Sequence, residues 1–275
     1  MIDDVQSAAK HDDREREFPP LDILLVEDSV VIRTVLAGLL EKHNIVMAGD
    51  GLEAVTIMEK ERFDIVLMDL QMPEMDWFEA TAVIRKRETG RRTPIIAMTA
   101  SATTDDRDQC RTAGMDGYIA KPILPDELRR TIERFTQPQS HSTSERAPAE
   151  NLSSVKIQPS ADVIDLELAR RQIPGGEEGI RAMAQLLLDQ CPIMMTEIQE
   201  GLTDRDNKRI QRAAHSLKGS ADIFGARHVV EVARRIELAG KRGDVDGASE
   251  TMLKLREQVS QLQSALAVMA TSKPT

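Results

Sequence analysis

Residues 21–48 read LDILLVEDSVVIRTVLAGLLEKHNIVMA, and this stretch decides the architecture of the N-terminal half. Leu21–Val26 is a short apolar run, VVIRTVLAGLLEKH has helical periodicity, and Ile45–Ala48 is again short and apolar. A strand, an amphipathic helix and a second strand in that succession form a βαβ unit. The rhythm continues through Ile65–Met68, Ile95–Met98 and Tyr118–Ala120, with helical stretches such as LEAVTIMEK, WFEATAVIRKRE and PDELRRTIERF between and after them. Repetition of the unit predicts a doubly wound α/β domain on a parallel sheet. Strands that are apolar almost throughout are those buried on both faces.

Outside this domain the pattern changes. Residues 136–160 contain six Ser and three Pro with little apolar periodicity, which predicts a flexible linker over 137–160. A coil of that length has a root-mean-square span of roughly 25–30 Å. From residue 161 to about 268 every apolar pattern is helical. DLELARRQ, GIRAMAQLLLDQC, PIMMTEIQEGL, DNKRIQRAAHSLKGSADIFGA, HVVEVARRIELAG and DGASETMLKLREQVSQLQSAL are parted by short breaks. Short breaks predict an antiparallel helical bundle. Residues 1–20 form a polar N-terminal tail and 269–275 a C-terminal one.

Composition narrows the function. The chain of 275 residues carries a formal net charge of −10, has 41% apolar and 30% charged residues, and shows no basic patch. Nucleic acid is therefore a poor partner. No apolar run approaches the ~18 residues of a membrane span, and the N-terminus has no signal-peptide pattern, so a cytoplasmic protein without membrane insertion is expected. Two cysteines, Cys110 and Cys191, one in each half, do not make a disulfide framework.

Ligands of parallel α/β sheets bind beyond the carboxyl ends of the strands. The first strand ends in Val26-Glu27-Asp28, the third in Met68-Asp69, the fourth in Thr99, and the fifth leads into Lys121-Pro122. If the order is flavodoxin-like, strands one and three are neighbours and Glu27, Asp28 and Asp69 converge. Clustered carboxylates repel, and a hard cation such as Mg²⁺ relieves them. An ionised Asp69 could then attack a phosphoryl group, with Lys121 and the Thr99 hydroxyl stabilising its oxygens.

Glu27-Asp28, Asp69-Leu-Gln-Met-Pro-Glu-Met-Asp, Thr99-Ala100 and Lys121-Pro122 together resemble the signature of the response-regulator receiver domain, over about residues 21–136. The resemblance implies a five-stranded flavodoxin-like sheet, with Asp69 as phosphoacceptor and Asp28 as a direct Mg²⁺ ligand. It also implies that Glu27 acts through water and that the Gln71 carbonyl completes the protein ligands. Thr99 and Tyr118 would switch together on phosphorylation, and a cis peptide is expected at Lys121-Pro122. One departure stands out. Trp77 occupies a position where the family usually has Gly, which costs roughly 1–3 kcal/mol if the backbone there needs positive φ. It reads as a tolerated loop variant or helix-start residue, or else as an apolar contact for a partner.

In the helical half, take Lys208–Phe224 as one helix at about 100° per residue. Ile210, Ala213, Leu217 and Phe224 then form a stripe opposite His215, so the imidazole is expected to project to solvent. Gly219, one turn on, clears space beside it, and Lys218 adds positive charge. Ala214-His215-Ser216-Leu217-Lys218-Gly219-Ser220-Ala221, with Phe224-Gly225-Ala226, looks like the core motif of the histidine phosphotransfer (HPt) domain, over about 161–268. That resemblance implies a four-helix bundle in which His215 accepts and returns a phosphoryl group. The other histidines read as bland, with His43 as a cation near a helix end.

Three functions are weighed. A phosphorelay carrier would take a phosphoryl group on Asp69 and hold one on His215, between a partner histidine kinase and a downstream response regulator. A histidine kinase would need an ATP-binding domain, for which no segment remains unassigned, and a haloacid-dehalogenase-type phosphatase wants a second Asp where Gln71 stands. A binding-only module would have lost site residues, and all the charged ones are present. The carrier, not an enzyme, is the expected function.

Overall fold

The computed structural model describes residues 19–72, 77–99, 104–137 and 163–271. Most of the N-terminal tail, nearly all of the linker, the last residues of the C-terminal tail, Pro73–Asp76, Ala100, His11 and His141 lie outside the described residues.

Strands β1 (Asp22–Val26), β2 (Asn44–Ala48), β3 (Ile65–Asp69), β4 (Ile95–Thr99) and β5 (Gly117–Ala120) form one parallel sheet in the order β2-β1-β3-β4-β5. Helices α1 (Val30–Leu39), α2 (Gly51–Met58), α3 (Trp77–Arg87), α4 (Thr104–Ala113) and α5 (Pro125–Thr136) connect and cover it. Leu25, Leu67 and Met98 point to the face covered by α1 and α5, while Leu24, Val66 and Met68 point to the face covered by α2, α3 and α4. Alternation along strands buried on both sides explains why β1 and β3 are apolar at every interior position. The register pairs Val26 with Met68, Asp69 with Met98, and Thr99 with Ala120. The carboxyl ends therefore align, and Glu27, Asp69, Thr99 and Lys121 emerge on one rim.

The C-terminal half is helical. A short α6 (Leu166–Gln172) precedes α7 (Gly176–Asp204), α8 (Asn207–Asp222), α9 (Arg227–Arg242) and α10 (Val245–Thr271). The last four pack in a closed ring, α7 on α8, α8 on α9, α9 on α10 and α10 back on α7. Connections of a few residues reverse the chain each time, which makes an antiparallel four-helix bundle.

Three details differ from the sequence reading. GIRAMAQLLLDQC and PIMMTEIQEGL are one helix, because Pro192 sits on its exposed side, where water can satisfy the backbone group left without a partner. Helix α8 ends at Asp222, and Phe224 is buried in the turn that follows. Helix α10 continues past residue 268 to Thr271.

The two halves touch. Helix α1 packs on α7 and α8, and one apolar cluster runs from Leu25, Val35 and Leu36 into the bundle interior around Leu187, Leu217 and Phe224. Among the described residues no helix is long and apolar enough to cross a membrane.

Proline inside a helix is less favourable than alanine by about 3 kcal/mol. Pro192→Ala is therefore expected to raise bundle stability by on the order of 2 kcal/mol, read as a higher denaturant midpoint; an unchanged or lower midpoint would show that the proline fits a bend the bundle needs.

Candidate phosphotransfer site

The acidic pocket follows from the strand order. Because β1 and β3 are neighbours, Glu27 and Asp28 beyond β1 meet Asp69 at the end of β3. One oxygen from each lies within 4.8 Å of the others. Glu27 is fully buried and Asp69 nearly so. Lys121 reaches in from the end of β5, its Nζ 2.8 Å from Glu27 Oε2 and 3.0 Å from Asp69 Oδ2. The Ser29 N–H donates to Glu27 Oε1, and the Gln71 N–H donates to Asp69 Oδ1 at 3.3 Å. Thr99 is buried on the same rim.

One ammonium does not balance three carboxylates in a dry site. Burial pushes the Glu27 carboxyl up to about 7, with Lys121 opposing the rise and the negative charges of Asp69 and Asp28 adding to it. Burial and then Asp69 push Asp28 up to about 7 as well. Lys121 is held above its ordinary value: burial alone would lower it, but the charges of Asp69 and Glu27 more than offset that. Asp28 Oδ1 is buried without a hydrogen-bond partner. An oxygen-only donor set, an unpartnered buried carboxylate oxygen and excess negative charge together fit a hard divalent cation.

The residues around the pocket settle into place. Lys121-Pro122 is a cis peptide. Trp77 begins α3 and packs on the sheet face that carries Leu24 and Met68, with its ring edge-on to Phe78 at 5.7 Å. Among the described residues the only non-glycine with positive φ is Arg205, so Trp77 carries no left-handed strain. Of its two readings, the helix-start one describes its place. Tyr118 is partly exposed at the surface, with the Arg107 guanidinium 4.6 Å above its ring.

His215 corrects an expectation. Its helix does turn Ile210, Ala213 and Leu217 inward, yet the imidazole is only 3% exposed. The face expected to meet solvent meets the first domain instead. His215 Nε2 lies 3.9 Å from Asp69 Oδ2, beyond hydrogen-bond reach, and Nε2 has no other partner. Around this pair, Ser29 Oγ and Ser220 Oγ are 3.1 Å apart. Since the Ser220 hydroxyl donates to the Ser216 carbonyl, Ser29 is the donor between them.

The other ring nitrogen is held by a residue that sequence reasoning missed. His215 Nδ1 is 2.7 Å from Glu237 Oε1, and Lys218 Nζ is 2.7 Å from Glu237 Oε2 and 3.2 Å from Nδ1. Burial tends to raise the Glu237 pKa, but the bonds from His215 and Lys218 bring it below its ordinary value, so it is a carboxylate. A carboxylate only accepts, which assigns the proton to Nδ1 and the lone pair to Nε2, facing Asp69. The signal was present: Glu237 interrupts the buried stripe of Val229, Ala233, Ile236 and Gly240 on α9. His43 is not a cation either. Burial and Lys42 lower its pKa, and its Nδ1 accepts the Leu21 N–H.

Comparison with known families decides the assignment. Residues 23–133 match the response regulator receiver domain, and residues 182–265 match the Hpt domain. The chain joins a receiver domain to an Hpt domain. Both are phosphotransfer modules rather than kinase catalytic domains. The signal transduction histidine-protein kinase BarA of Escherichia coli is 30% identical over 219 residues, covering 79% of this chain and 24% of the relative. The aerobic respiration control sensor protein ArcB of the same organism is 26% identical over 261 residues, covering 94% of this chain and 32% of the relative. The chain thus spans about a quarter to a third of the length of these relatives. Among solved structures, the receiver domain of sensor histidine kinase PA1611 from Pseudomonas aeruginosa, crystallised with a magnesium ion in its active-site cleft, is 43% identical. It covers 42% of this chain and 98% of that one, with a TM-score of 0.40.

Glu27 and Asp28 hold protons more tightly in the folded chain than in the unfolded one, where their values lie near 4.5 and 3.8. Folding therefore loses stability as pH rises from about 4 through about 7. In chelator, the melting temperature is expected to fall across that window, with Asp28→Asn flattening the slope and millimolar Mg²⁺ offsetting the loss at pH 8. An equal slope in the variant would remove these carboxyls as its source.

Proposed function

We propose that the chain is a phosphorelay carrier, with receiver domain 21–136 and HPt domain 161–268 joined by 137–160. In this reading Asp69 accepts a phosphoryl group from a partner histidine kinase and His215 carries one toward a downstream response-regulator receiver. The observation that supports it is the apposition of Asp69 Oδ2 and His215 Nε2 across 3.9 Å, with Oδ2 held in place by Lys121 and Nε2 bonded to no other group.

Asp28 and Asp69, with the Gln71 carbonyl and with Glu27 acting through water, would hold Mg²⁺; when bound it would neutralise the pocket and stabilise charge on the transferring oxygens. Lys121 binds the same oxygens from the other side, and the Thr99 hydroxyl donates to one of them. When the group moves from Asp69, the Nε2 lone pair forms the new P–N bond while the P–O bond to Oδ2 breaks and its electrons return to the carboxylate. The imidazole becomes cationic, and Glu237, already accepting from Nδ1, stabilises that charge. Lys218 holds Glu237 in place. No proton has to move, so the step is reversible through the same geometry.

Asp69→Asn is expected to abolish labelling by a small phosphodonor such as acetyl phosphate. His215→Gln should keep Asp69 labelling and lose the acid-labile phosphohistidine; labelling of another histidine would overturn the assignment. For Glu237→Ala, ¹⁵N NMR should show mixed tautomers of His215 and a transfer rate reduced about ten-fold, with Glu237→Gln, which still accepts from Nδ1, largely restoring both. A single unchanged tautomer in the alanine variant would deny Glu237 its positioning role.

A further inference from the structure

The junction contains a second contact, set away from the reacting atoms. Two glycines lie in helices that face each other across it, and each stands where a side chain of the other half comes in. A Cβ on Gly219 of α8 would sit 2.7 Å from Ile32 Cδ1 of α1. A Cβ on Gly38 of α1 would sit 2.7 Å from Pro174 Cγ, in the turn between α6 and α7. The receiver thus offers one knob and one socket, and the bundle offers the complementary pair. Two such points, with the Ser29–Ser220 hydrogen bond beside the first, fix both position and rotation of one half on the other.

The two sockets differ in meaning. Gly219 belongs to the phosphoacceptor motif, so a bundle carrying that motif would present it to any receiver. Gly38 and Pro174 belong to neither set of reacting residues. The three atoms nearest a Cβ at Gly38 all belong to Pro174, at 2.7, 3.8 and 3.8 Å, so the receiver itself leaves room for alanine there. Alanine is also the better helix former. Glycine at this position therefore costs the receiver helix propensity and serves only the approach of Pro174, whose ring cannot swing aside as a flexible chain would.

We infer that Gly38 and Pro174 form a specificity-determining contact through which this receiver domain accepts the HPt bundle of its own chain. The inference rests on the phosphorelay reading and adds the identity of the bundle that docks. The linker is long enough for docking within one chain, and the partner seated on α1 in the structure is that chain's own bundle.

The test is a double-mutant cycle in the full chain, with acetyl phosphate and Mg²⁺, measuring Asp69 labelling and then the rate at which phosphohistidine forms. Gly38→Ala should label on Asp69 at least as readily as the parent and slow transfer to His215 about ten-fold or more, because a rigid overlap must be relieved. Pro174→Ala should transfer at close to the parent rate. The double variant places two Cβ atoms 3.8 Å apart, an ordinary contact, and should recover transfer to within about three-fold of the parent. Parent transfer should also be independent of protein concentration and faster than in a mixture of Asp69→Asn and His215→Gln chains. Failure of Asp69 to label at all would overturn the phosphorelay reading itself. Normal labelling with an unimpaired Gly38→Ala, no recovery in the double variant, or a mixture as fast as the parent would overturn this inference alone.

Discussion

The structure depends on a charge imbalance kept out of water. Three carboxylates converge at the rim of the sheet, with a single lysine ammonium among them. An arrangement of this kind costs stability and survives only where the scaffold over-determines it. Here that scaffold is the β2-β1-β3-β4-β5 order, which makes neighbours of two strands far apart in sequence and brings Lys121 in from the far edge. The apolar strands below allow no slippage, since a shift of one residue would turn Leu25 and Leu67 to the wrong face.

The bundle answers this rim with its own polar arrangement. Lys218 of α8 and Glu237 of α9 form a close pair of opposite charges, and both touch the same imidazole nitrogen. Fixing one nitrogen leaves the other without a partner and pointed at Asp69. Each half therefore has an unsatisfied atom at this junction, Asp28 Oδ1 in the acidic pocket and His215 Nε2 facing it. Buried polar atoms left unpaired are costly, and a pair of them converging on one point marks a place built for a group that comes and goes.

Much of this was legible beforehand, for identifiable reasons. Strands buried on both faces have a strong apolar signature, and chemistry at their ends stands out against it, as at Glu27, Asp28, Asp69 and Lys121. Helix α4, TDDRDQCRTA, has almost no apolar side chains to set a period, so sequence reading did not single it out. Pro192 marked a break that its solvent-facing position made unnecessary. The burial of His215 was invisible for a different reason. A helical wheel says which way a side chain points relative to its own bundle, and says nothing of what arrives to cover it. Glu237 is legible as the one charge on the buried stripe of α9.

The near-complete covering of Asp69 and His215 has a kinetic consequence. An acyl phosphate is a mixed anhydride, and its chief competitor for decay is hydrolysis. Where two domains close over it, few water molecules can approach in line, and the imidazole already in place has the advantage over water. Outside donors and acceptors would need the halves to part. Internal transfer and outside exchange would then be opposite phases of one motion, with the opening of the interface as its clock.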